Sequence, residues 1–150
     1  MSAGIEIEGF NELRELIDQL GKVPQNVATK AARQGSQIDL TAAKADAPVY
    51  DGWLKAALKL VGEKSKSPGK KVYEITFDRA YNSKLVKTSK TGKRSYYPVS
   101  QEFGWKYPHG GYHVGLQYMK NSAEQTASAV EQKIVDVAKN ELDKILSQAR

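Results

Sequence analysis

Apolar residues recur at steps of three and four near both ends of this chain and at steps of two in its middle. After a short alternating start at Ile5–Glu8, the residues Phe10, Leu13, Leu16, Ile17 and Leu20 form the stripe of an amphipathic helix. Gly21 is a stop signal, and Pro24 sits where a second helix would begin. From Val23 to Ala45 one face is held by Val27, Ala31, Ile38, Ala42 and Ala45, small enough for another element to approach closely. Pro48 ends that helix, because proline has no amide to donate and disfavours helix at the residue before it. A long third stripe follows from Ser122: Ala123, Ala127, Val130, Ile134, Val137, Ala138, Leu142 and Ile145. Ser122 suits the N-cap, with Gln125 at the capping-box position.

Between the helices the period changes. In KVYEITFD the residues Tyr73, Ile75 and Phe77 alternate with Glu74, Thr76 and Asp78, as in a half-buried strand. YYPVSQEFGW (96–105) reads as a second strand, with Tyr97, Val99 and Phe103 on one face and Pro98 marking a sheet edge. Asp51-Gly52 signals a turn, and residues 53–61 fit a strand or a helical turn equally. Residues 79–95 are polar and basic, a mobile loop or an extended hairpin tip. The expectation is one α+β domain over 1–150, with no internal repeat. A small, mainly antiparallel sheet packs against the alanine-rich helix and the long C-terminal helix. Tyr73, Ile75, Phe77, Val99 and Phe103 are the expected buried strand residues.

Composition sharpens this in two places. The chain has no cysteine, which excludes disulfides and thiolate metal sites and suits a reducing cytoplasm. No apolar run approaches the roughly 20 residues of a membrane helix, and MSAGIEIEGF lacks the basic and apolar halves of a secretory signal. The net charge of +6 is uneven: from Lys55 to Arg94 there are twelve Lys and Arg against Glu63, Glu74 and Asp78. Such a stretch is either solvated surface or a contact for nucleic acid or an acidic partner. Arg79, Lys84, Lys87, Lys90, Lys93 and Arg94 fall in one segment without any acid.

Candidate chemistry is sparse. His109 and His113 are four apart, but Gly110-Gly111 argues against a helix and no third ligand is close in sequence. GEKSKSPGKK lacks the ending of a phosphate-binding loop. Glu102, among aromatic residues, has the surroundings of a general acid but no partner at defined spacing. A carboxylate at a sheet edge, paired with a lysine or an amide, is the better reading. No catalytic, cofactor or metal residues are assigned.

The order of short motifs says more. A helix ending in AKADAPVYDGWLKAAL is followed by a strand, a basic stretch, YYPVSQEFGW and a long helix. This resembles the neck and tail-completion proteins of long-tailed bacteriophages and prophages, through Ala47, Pro48, Val49, Gly52 and Leu54, then Tyr97, Glu102, Phe103 and Gly104. Asp51 stands where that family usually has threonine, and GGYHVGLQYMKNS replaces its proline- and phenylalanine-rich lead-in to the last helix. The resemblance implies a non-enzymatic virion part, assembled in the host cytoplasm into a ring of its own copies. Its partners would be neighbouring connector, tail-tube or tail-terminator proteins, with DNA in the channel and no membrane. Pro98, Glu102, Phe103, Gly104 and Trp105 are then the expected subunit interface, and the six basic residues of 79–95 a second contact. The alternative is a stand-alone basic nucleic-acid-binding module.

Overall fold

The computed structural model describes residues 25–148; the helix expected over Phe10–Leu20 lies outside them. In chain order the described elements are α1 (Gln25–Asp46), α2 (Trp53–Ala57), β1 (Leu58–Gly62) and β2 (Tyr73–Phe77). A 3-10 turn (Arg79–Tyr81), α3 (Asn82–Leu85), β3 (Val86–Thr88) and β4 (Arg94–Tyr96) follow. Then come α4 (Tyr97–Phe103), β5 (Gly104–Lys106), β6 (Tyr112–Val114) and α5 (Tyr118–Gln148). The α+β expectation holds: an alanine-rich helix, small antiparallel sheets and a long C-terminal helix. The strands form three two-stranded sheets, β1-β2, β3-β4 and β5-β6. β2 therefore pairs with β1 and not with the 96–105 segment.

The chain divides into two compact units. The described part of the first comprises 25–38, 62–74 and 128–148, and its core is Val27 and Ala31 against Val137, Ala138 and Ile134. Gly35 lies on the same face of α1, where a Cβ would collide with the Ile134 side chain, so only glycine permits this approach. Lys30 and Glu141 pair at 2.7 Å, and the two lysines beside it hold the Glu141 carboxyl below its ordinary range. Gln25 donates to Ser65 Oγ and to the Lys70 carbonyl and accepts from Gly69 N, tying the 63–72 turn to the start of α1.

The second unit comprises 39–61 and 75–127. Leu40 and Ala43 of α1 and Ala47 just after it pack with Leu54, Ala57, Leu58, Leu85 and Tyr118, and half-buried Leu60, Ile75, Phe77, Tyr96, Tyr97 and Met119 close over them. The strand at 73–77 is present as expected, with Ile75 and Phe77 half-buried against the core, while Tyr73, also expected to be buried, is half-buried and not part of that core. Residues 53–61 resolve the open choice by being both helix and strand. The buried face of α1 differs from the expected one toward its end: Leu40 and Ala43 are buried, while Ala45 is exposed.

Two expectations are corrected. Residues 97–103 are helical, not an edge strand, because Pro98 falls in the first helical turn, where its missing amide is no loss, and Gly104 stops the helix in a left-handed conformation (φ 90°). Val99 and Phe103 are consequently exposed. α5 begins at Tyr118, so Ser122 is not its cap but a fully buried residue of its first turns, donating to the Met119 carbonyl and toward Asp39. Asp39 also accepts from Thr126, yet its burial outweighs both hydroxyls and pushes its carboxyl above the ordinary value.

Candidate protein-protein interface

Glu102 is the best-defined polar group in the second unit. It is only 7% exposed, one turn along α4 from the fully buried Pro98. Its two carboxylate oxygens accept from Met119 N at 3.0 Å and Lys120 N at 3.2 Å. Those amides belong to the first turn of α5 and have no partner inside the helix. Glu102 therefore caps α5 from a distant part of the chain, with its negative charge against the positive end of the helix dipole. The sequence reading of a carboxylate paired with an amide is correct in its chemistry; its edge-strand setting is not.

The backbone around Glu102 reinforces the cap. The Gln101 carbonyl accepts from Leu116 N at 2.8 Å and the Glu102 carbonyl from Gln117 N at 3.0 Å. Such contact requires two positions without side chains. A Cβ on Gly104 would sit inside the His113 carbonyl, and one on Gly115 inside the Glu102 carbonyl. Glu102 and Gly104 of the EFG motif are thus fixed by the fold.

Phe103, between them, is not. It is 64% exposed, and Val99, one turn earlier on the same side of α4, is exposed as well. The hydroxyl of Tyr112 donates to the Phe103 carbonyl, and Val114, paired with Gly104 in the β5-β6 ladder, is 69% exposed. Leu116, just after β6, is exposed as well. On the other side of the hairpin, Trp105 stacks on His113 with centroids 4.0 Å apart, and Tyr107 meets both rings edge-on. Tyr107 Oη lies 3.2 Å from His113 Nδ1. His113 is engaged by aromatic neighbours, and among the described residues no group of His, Asp or Glu is arranged to hold a metal.

The first motif has the same construction. Ala47 and Leu54 are buried anchors, and Gly52 turns the chain at φ 77°. Asp51 Oδ1 accepts from Trp53 N at 3.3 Å, the bond a threonine hydroxyl at that position could also accept. Val49 and Tyr50 are left outside, Tyr50 at 90% exposure. Pro48, Val49, Tyr50 and Asp51 line an open pocket of about 460 Å³ with Lys87, Tyr97 and Gln101, so the two motifs meet here.

Of the residues expected at an interface, Pro98 and Glu102 are buried inside their own unit, and Phe103 and Trp105 reach its surface. Val99, Tyr112, Val114 and Leu116 were not singled out as surface residues. Their signal is weak, since isolated apolar residues in a glycine-rich stretch read equally as core. The Tyr118 phenol, 2% exposed, has no hydrogen-bond partner among the described residues; burial first, and then the nearby Glu102 carboxylate, pushes it above its ordinary value.

All six basic residues of 79–95 are exposed, on elements more regular than a loop: the 3-10 turn, α3 and the β3-β4 hairpin. Arg79 and Lys84 lie at the root, with Lys84 Nζ 5.4 Å from the centroid of the Trp53 ring, and Lys87, Lys90, Lys93 and Arg94 lie on the hairpin. Comparison of the chain with protein-family models, curated proteins and solved structures gives no match.

Proposed function

We propose that this chain is a non-enzymatic structural protein of the phage or prophage head-to-tail connector, one subunit of a ring that helps join the tail to the DNA-filled head. The observation that carries the reading is the build of the two motifs. Each uses buried anchors and a left-handed glycine to hold apolar residues in solvent: Val49 and Tyr50 in one, Phe103 in the other. Exposed apolar surface of this kind marks protein contact. Glu102 is occupied as a helix cap and has no free role as an acid. Among the described residues no helix is long and apolar enough to cross a membrane. The runner-up, a nucleic-acid-binding module acting alone, has the cationic hairpin in its favour but gives the apolar face nothing to do.

The test is removal of the gene from its phage or prophage. DNA-filled heads and complete tails should then accumulate apart, and adding the purified protein to the mixed extract should join them. Normal virions without the gene would overturn the proposal.

A further inference from the structure

The β3-β4 hairpin differs from every other exposed element of its unit. From Lys87 to Ser95 all nine residues are exposed. The run KTSKTGKRS holds four cations, four hydroxyls and one glycine, with no acid and no apolar side chain. The ladder pairs Val86 with Tyr96, Lys87 with Ser95 and Thr88 with Arg94. Only the Val86-Tyr96 rung is partly buried, so beyond it both faces of the ribbon stand in solvent.

The tip is nonetheless built. Ser89 N donates to the Lys93 carbonyl at 2.8 Å, Gly92 N to the Ser89 carbonyl at 3.0 Å, and Lys93 N to Ser89 Oγ at 3.1 Å. Gly92 supplies the left-handed turn (φ 79°). Among the described residues none of Lys87, Lys90, Lys93 and Arg94 has an acidic partner, although Lys30, Lys59, Lys120 and Lys144 do. An ordered ribbon therefore carries four like charges in nine residues without compensation.

We infer that this ribbon is a contact for the phosphate backbone of double-stranded DNA, independent of base sequence. Lysine, arginine, serine and threonine side chains all bind phosphate oxygens. A bare two-stranded ribbon is narrow enough for a major groove about 12 Å wide. An acidic protein surface is the poorer fit, because protein interfaces draw their stability from an apolar core that the ribbon does not contain. The inference deepens the connector reading and rests on it for the source of the DNA, while the binding itself is a property of the isolated chain.

The experiment is fluorescence anisotropy of the purified full chain with a labelled mixed-sequence duplex. With Z of about four, the plot of log affinity against log salt should have a slope of about −3 to −4 between about 50 and about 200 mM. The K87Q/K90Q/K93Q/R94Q variant should bind about tenfold or more weakly, with a slope near zero. A variant with the same change in net charge elsewhere, K55Q/K64Q/K66Q/K70Q, should stay within about threefold of the parent. Thermal unfolding of both variants confirms that they remain folded. No binding at about 50 mM salt overturns the inference. So does equal loss in both variants, which would leave only net charge, or equally tight binding of polyglutamate, which would point to an acidic protein. A hairpin variant that loses DNA binding yet still joins heads to tails would deny the contact a role in joining and leave the connector reading intact.

Discussion

Phe103 on α4 and Lys90 at the β3-β4 tip are both exposed, but the chain reaches that result by opposite means. Around Phe103 the backbone is locked: Glu102 caps a helix, Gly104 and Gly115 allow carbonyls and amides to touch, and apolar side chains are left outside. Around Lys90 only short-range hydrogen bonds hold the tip, and every side chain is polar. The first surface has a cost in water that a protein partner would remove. The second is well solvated and gains only from opposite charge. A substitution at the supporting positions Glu102, Gly104 or Gly115 should therefore damage the fold, while one in the second region should leave it unharmed.

The largest effect is expected at the tightest backbone contact. Gly104→Ala places a Cβ inside the His113 carbonyl at a positive φ and should cost about 3 kcal/mol or more, read as a fall in the denaturation midpoint. Glu102→Ala leaves two first-turn amides of α5 without their acceptor in a buried setting and should cost about 2 kcal/mol. Glu102→Gln, which can still accept at one oxygen, should lose less. If Glu102→Ala unfolds like the parent, the cap contributes nothing and the first region is not locked as described.

Asp39 gives a smaller, pH-dependent effect. Its folded-state carboxyl is raised by burial, so the folded chain holds that proton more tightly than the unfolded chain. The penalty for ionising it is absent below the ordinary value and complete above the raised one. Asp39→Asn should match the parent at acid pH and become more stable than it as pH rises through the raised value. Thermal unfolding at acid and neutral pH checks the sign; an advantage that shrinks as pH rises would contradict it. Smallest of all, K87Q/K90Q/K93Q/R94Q should change stability by less than about 0.5 kcal/mol, because none of these side chains packs or pairs.

The helices α1 and α5 and the 73–77 strand were legible because each has a single dominant period. At 97–103 the pattern was ambiguous in a specific way. Val99 and Phe103 are four apart and share a face in a strand and in a helix alike. Pro98 suits an edge strand and a first helical turn equally, and Gly104 as a helix stop tips the choice. The role of Glu102 was hidden for a different reason: the amide at Met119 lies 17 residues downstream, and no local pattern announces a cap supplied at that distance. The composition of the hairpin was plain in the sequence. That both its faces are exposed depends on the rest of the fold leaving it uncovered, which only the tertiary structure reveals.

The central claim is that the locked backbone around Glu102 exists to present an apolar face to another protein. The double substitution Phe103→Ser with Val114→Ser tests it most directly, measured as thermal unfolding of the purified protein beside the yield of infectious particles when the variant replaces the parent. Stability should stay within about 0.5 kcal/mol of the parent, since both side chains are already in solvent. Infectious yield should fall by about 100-fold, as expected when two interface anchors of about 1.4 kcal/mol each are removed. A normal yield would contradict the claim, and so would a large loss of stability, which would make these residues part of the fold and not of a docking face.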